Sequence, residues 1–140
     1  MDIDVVQLAN MIFGEAASED ADTMVMVGST ALNRLEAGRA KEFGSNLGEV
    51  LQKGFYAVSN PNEPYKQAVS GKFPDEDSEL RYKHALSTAY ALIDGAMPRT
   101  KGHFYFTDSE VKKLQKNKKA FDFSKVKSTG KVGKYQTYSY

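Results

Sequence analysis

The segment IDVVQLANMIF, Ile3 to Phe13, does most to limit what this chain can become. Val5, Leu8, Ala9 and Ile12 recur at the spacing of one α-helical face, and the run reads as a buried helix. Gly14 then ends the helix or bends it sharply, and Glu15 follows at once. A carboxylate delivered beside a core needs a reason.

Other helices follow by the same periodicity. A second starts after Asp20 or Asp22, either serving as N-cap, and turns Met24, Val27, Ala31, Leu32 and Leu35 inward. Gly28 and Ala31 are small enough to admit a close neighbour, while Asn33 and Arg34 read as exposed polar residues near its end. SNLGEVLQKGF opens on a capping box, Asn46 with Glu49, and stops at Gly54. A loop-rich stretch with three of the four prolines holds one short helix around Tyr65–Val69. SELRYKHALSTAYALIDG is the clearest helix. Asp77 or Ser78 caps it, Leu86, Ala89, Tyr90 and Ile93 form its inner face, and Gly95 with Pro98 ends it. His84 on this helix reads as a surface or hydrogen-bonded residue.

HFYFT predicts a short strand in which Phe104 and Phe106 share one face and Tyr105 takes the other. Thr107 and Glu110 form a second capping box, and KVGKYQTYSY alternates as a closing strand or hairpin. The expected fold is therefore α+β, helix-dominated with a small β element, as one domain over residues 1–140.

Composition narrows the chemistry. Apolar residues make up 41% and charged residues 26%, as in an ordinary globular protein, and no apolar run is long enough for a membrane span. With no cysteine, disulfides, thiol catalysis and cysteine-ligated metals are excluded. His84 and His103 are the two histidines and share no ligand spacing, so neither a metal nor an organic cofactor is expected. MDIDVVQLAN carries acids where an export signal carries bases, so no export route of its own is expected.

Charge is uneven. Residues 1–100 carry nine Lys/Arg against fifteen Asp/Glu, a balance of −6; residues 101–140 carry ten lysines against three acids, or +7. This basic end is either a solvated surface or an attraction for an anionic polymer, nucleic acid or cell wall. It contains no arginine, so it is poorly suited to bidentate recognition of phosphate or guanine, and nucleic acid is the less expected partner.

The GxSxG elbow, the P-loop, the GxGxxG turn and the calcium loop are all missing, which leaves carboxylate chemistry. A glutamate at the end of a buried helix, facing a cleft, is partly desolvated. Its pKa then rises, which suits a general acid such as the group that protonates a glycosidic oxygen. The plainer reading of Glu15 is a solvated helix terminus.

The surroundings favour the first. LANMIFGEAASED…ALNRLEAG closely resembles the start of the SleB-type cell-wall hydrolases, the family of the spore-cortex-lytic enzymes. The shared pattern is Gly14, Glu15, Ala16 and Glu19, then Leu32, Asn33 and Arg34. FYAVSN looks like the family's Phe-Ser-x-Val segment, HALSTAYALIDGAMPRTKGHFYFT like its last long helix and aromatic strand, and GKVGKYQTYSY like its closing Ile-Gly-x-His-x-Phe strand. The resemblance runs from about Leu8 to Tyr138. Tyr56 stands where the family has serine and Tyr135 where it has histidine, which alters the contacts expected with sugar.

The resemblance implies a lysozyme-like fold, cleavage of the MurNAc–GlcNAc β-1,4 bond of peptidoglycan, and Glu15 as the catalytic acid. Glu19, Asn33 and Arg34 become site-supporting residues. Phe55, Tyr56, Tyr105 and Tyr135 become candidates to line a glycan groove, with a core role the alternative for Phe55. A two-carboxylate hydrolase needs a second acid across the bond, for which Glu19, Asp20 and Asp22 are the neighbours. Without one, Glu15 protonates the leaving oxygen and then takes the proton of the MurNAc C6 hydroxyl. That closes a 1,6-anhydro ring, the lytic transglycosylase outcome that the resemblance also suggests. The expected partners are peptidoglycan glycan strands, with other virion proteins if the setting is a bacteriophage lysin or particle. A lysozyme-like wall-binding or virion component without turnover is the rival expectation.

Overall fold

The computed structural model describes residues 2–140. It opens with α1 (Ile3–Ala16), capped by the Asp2 carboxylate, which accepts from the Asp4 amide. Then come α2 (Ala21–Leu35), the short α3 (Ala40–Phe43), α4 (Leu47–Gly54), α5 (Tyr56–Ser59), α6 (Glu63–Ser70) and α7 (Glu76–Asp94). Leu8, Ala9, Met11 and Ile12 of α1 are fully buried, and α2, α4, α5, α6 and α7 all pack against that helix. β1 (Phe104–Thr107), α8 (Asp108–Gln115), a 3-10 turn at Phe123–Lys125, β2 (Lys127–Val132) and β3 (Tyr135–Ser139) complete the chain. The strands form one antiparallel sheet in the order β1-β3-β2. Among the described residues this is a helix-dominated α+β domain of eight α-helices and one three-stranded sheet.

Gly14 corrects the first expectation. It does not end α1, which continues through it to Ala16. A Cβ at Gly14 would lie 2.9 Å from the Ala57 Cβ and 3.0 Å from the Tyr65 Cβ, so glycine is there to let α5 and α6 close on α1. Gly28 acts as expected: a Cβ there would meet Ile12 and Leu92 side chains at 2.8 Å.

The long helix α7 needs two corrections. Its cap is Asp75, which accepts from the Ser78 amide at 2.8 Å, rather than Asp77 or Ser78. Its deep face is Ala85, Ala89 and Leu92, while Tyr90 is 61% exposed and Leu86 and Ile93 only flank the core. Small residues let α7 approach α1, so the larger ones sit beside the seam rather than in it. Gly95 ends the helix in the left-handed conformation, as expected. The Asn46 box is half made: Asn46 accepts from the Glu49 amide, but the Glu49 carboxylate accepts from Ser45 instead. The Thr107–Glu110 box is complete.

In β1 the predicted alternation holds. Phe104 and Phe106 lie on one face and pack edge-on against Phe121 at 4.8 and 5.0 Å. Tyr105 points the other way, to the last turn of α1.

Candidate active site

Three elements meet at Glu15. It lies in the last turn of α1, half-buried. Its Oε2 accepts from the Ala57 amide of α5 at 3.4 Å and its Oε1 from the Tyr105 hydroxyl of β1 at 3.3 Å. Burial raises its pKa above the ordinary glutamate value; the Ala57 amide, the Tyr105 hydroxyl and the Arg34 charge pull it partly back. The negative end of the α1 dipole acts in the same direction as burial. Burial, reinforced by the Glu15 charge, pushes the Tyr105 phenol well above the usual tyrosine value, so it stays a donor. Asn62 fixes the turn from below, donating to the Gly14 carbonyl at 2.7 Å while capping α6.

Asn33 and Arg34 are not the exposed helix-end pair that local pattern suggests. Asn33 Nδ2 donates to the carbonyls of Thr100 and Gly102, both at 2.9 Å. Arg34 Nε donates to the His103 carbonyl at 2.7 Å and Nη1 to the Gly54 carbonyl at 3.3 Å. Its guanidinium lies 5.0 to 5.3 Å from the ring centres of Phe55, Phe43 and Phe104. These two side chains pin the segment entering β1 to the end of α2, and so set where Tyr105 stands. Gly54 leaves the guanidinium its place, since a Cβ there would displace Arg34 Nη1.

Glu19 sits four residues beyond Glu15, in the turn between α1 and α2. It pairs with Lys134 at 3.0 Å and accepts from the Tyr135 hydroxyl at 3.4 Å. The Tyr135 ring packs edge-on against Tyr105 at 5.5 Å. Each glutamate thus meets one tyrosine, from the adjacent strands β1 and β3.

The aromatic candidates divide. Phe55 is 2% exposed, so it is core and not a groove residue; it sits beneath Arg34, whose cation covers its ring. Tyr56, next in sequence, is 72% exposed, one residue before the Ala57 amide that reaches Glu15. Its hydroxyl accepts from Asn60 at 2.6 Å, which holds the side chain in place. Tyr105 is committed to Glu15 and Tyr135 is partly exposed beside it. Asp20 caps α2 through the Thr23 amide at 2.9 Å and Asp22 is exposed. His84 is exposed on α7.

Sequence reasoning missed Ala57, Asn62, Gly54 and Lys134. The first acts through its amide, which no side-chain pattern reports; Asn62 before Glu63-Pro64 carried only a helix-start signal. Grooves of about 600 and 390 Å³ are not bordered by Glu15, though the larger is bordered by Asn33, Gly102 and His103. Among the described residues no three His, Asp or Glu side chains gather to hold a metal ion, and no helix is long and apolar enough to cross a membrane. No protein-family model, curated protein or solved structure matches the chain.

Proposed function

We propose that this chain cleaves peptidoglycan glycan strands at the MurNAc–GlcNAc β-1,4 bond, on a lysozyme-like fold of the SleB type, with Glu15 as general acid and base. One observation carries the reading: Glu15 is a half-buried carboxyl whose pKa burial raises, held by an amide and a phenol beside the exposed Tyr56. A carboxyl so placed keeps its proton at higher pH than a free glutamate, as a general acid requires. Tyr56 offers an open ring face against which a sugar can stack.

The chemistry balances with one protein group. The Glu15 proton passes to the glycosidic oxygen as the bond from C1 breaks. The carboxylate left behind then takes the proton of the MurNAc C6 hydroxyl as its oxygen bonds to C1. Glu15 ends protonated and no water is consumed. Lytic transglycosylation is favoured over hydrolysis because Glu19, the nearest alternative carboxylate in sequence, is engaged by Lys134 and Tyr135. That Glu15 borders neither of the larger grooves favours a second reading, wall binding without turnover.

Release of dye-labelled fragments from sacculi separates the two. Wild type releases dye, and Glu15→Gln, which keeps the shape but cannot donate a proton as an acid does, falls by at least ~100-fold. Equal release by both proteins would remove Glu15 from the mechanism, and release by neither would leave binding alone.

A further inference from the structure

Two grooves that Glu15 does not line have linings that adjoin along the chain. Lys118, Lys119 and Lys125 border the smaller, with Val126 and Tyr140 at its end. Their chain neighbours Lys127 and Ser139, at the start of β2 and the end of β3, border the larger, together with Lys101. Three acids also face this track, and each already has a basic partner: Asp122 with Lys118, Glu42 with Arg39 and Glu36 with Arg99. Lys101, Lys119, Lys125 and Lys127 make no ion pair among the described residues, so two ammonium groups are left facing each of these adjoining depressions, with Lys125 and Lys127 two residues apart where the linings meet.

We propose that this track docks a phosphodiester-linked anionic polymer of the cell wall, held chiefly by Lys101, Lys119, Lys125 and Lys127. The idea rests on the wall as the place of action proposed above, not on cleavage. Ammonium groups are point charges that tolerate a flexible row of tetrahedral phosphates, whereas reading a base edge needs forked donors. Single-stranded nucleic acid also needs open ring faces for stacking. The rings here are already engaged. Phe104 packs on Phe121 at 4.8 Å and on Tyr140 at 5.4 Å, and the Arg39 guanidinium covers Tyr140 at 3.6 Å. What the track offers is charge along a line, which suits a polymer without bases. Glu15 borders neither groove, so the track can hold the wall without occupying the cleaving carboxyl.

The test measures binding of the Glu15→Gln chain, which leaves the wall intact, to sacculi that keep their phosphodiester polymers and to sacculi stripped of them. Poly(glycerol phosphate) and duplex DNA serve as competitors. With four phosphates neutralised, affinity falls by about 50-fold between roughly 50 and 200 mM salt. Adding Lys119→Gln, Lys125→Gln and Lys127→Gln reduces that fall to about threefold. Stripping the sacculi weakens binding and removes its salt dependence, and poly(glycerol phosphate) displaces the salt-dependent part where an equal concentration of DNA phosphate does not. Binding unchanged by stripping or by the three substitutions overturns the proposal, as does preferential displacement by DNA. Failure here is distinct from failure of the cleavage reading, which muropeptide release from stripped sacculi by the otherwise wild-type lysine variant reports by itself.

Discussion

Replacing Gly14 by alanine sets two effects of known sign against each other. Alanine in a helix interior is better than glycine by about 1 kcal/mol, so propensity alone predicts a more stable protein. The new methyl, however, would stand 2.9 Å from the Ala57 Cβ and 3.0 Å from the Tyr65 Cβ. Carbon atoms normally pack at about 3.5–4.0 Å, so both contacts overlap by at least roughly half an ångström. Neither Cβ can rotate away, so α5 and α6 must shift from α1. Overpacking of this kind costs about 1–3 kcal/mol, leaving a net loss near 1 kcal/mol. For a chain of 140 residues unfolding with about 2.1 cal/mol/K per residue, that lowers Tm by about 3 °C. Urea unfolding with an unchanged slope, run beside a thermal melt, reads both numbers. The shift also moves the Ala57 amide away from Glu15, so wall cleavage drops more than stability does. A Tm raised by about 3 °C would mean that α5 and α6 do not press on α1 at Gly14.

Other perturbations separate the roles of neighbouring residues. Glu15→Gln stabilises the fold at neutral pH: the carboxyl's pKa is raised on folding, so its contribution is full below the ordinary glutamate value and is lost as pH rises through the folded one. Denaturant unfolding at about pH 3 and pH 8 checks this, with the two proteins equal at the lower pH and wild type weaker at the higher. Tyr105→Phe removes a donor that lowers the Glu15 pKa, so the alkaline limb of the pH–activity profile moves to higher pH; a downward move contradicts the role assigned to that hydroxyl. Phe55→Ala costs about 3–5 kcal/mol of stability as a core truncation, whereas Tyr56→Ala changes stability by about 0.5 kcal/mol or less and raises KM. The reverse pattern in thermal melts and substrate titrations would return Phe55 to the groove.

Much of this fold was legible because its helices obey the 3.6-residue period. Val5, Leu8, Ala9 and Ile12 are all buried, and the β1 alternation puts Tyr105 opposite Phe104 and Phe106. The misreadings share one cause. Gly14 looks like a terminator and Asn33 and Arg34 like helix-end surface, because local pattern sees neither Ala57, 43 residues on, nor the carbonyls of residues 100 to 103. Tyr90 fits the inward period, yet it is exposed and the buried positions of α7 are Ala85, Thr88, Ala89 and Leu92. For the site, Gly-Glu after an apolar helix reads by itself as a solvated helix terminus, and it is the resemblance of the surrounding segments that singles out Glu15. Its two donors come from distant segments, and one of them is a backbone amide.

The measurement that bears most directly on the central claim is the mass of muropeptides that wild type and Glu15→Gln release from sacculi. A lone acid and base gives anhydro-ended fragments about 18 Da lighter than hydrolysis products, the mass of one water, and Gln abolishes them. Fragments at the full hydrolytic mass would contradict the single-carboxylate account and turn attention to Glu19. The same anhydro products from Glu15→Gln at wild-type rate would refute the assignment of Glu15 altogether.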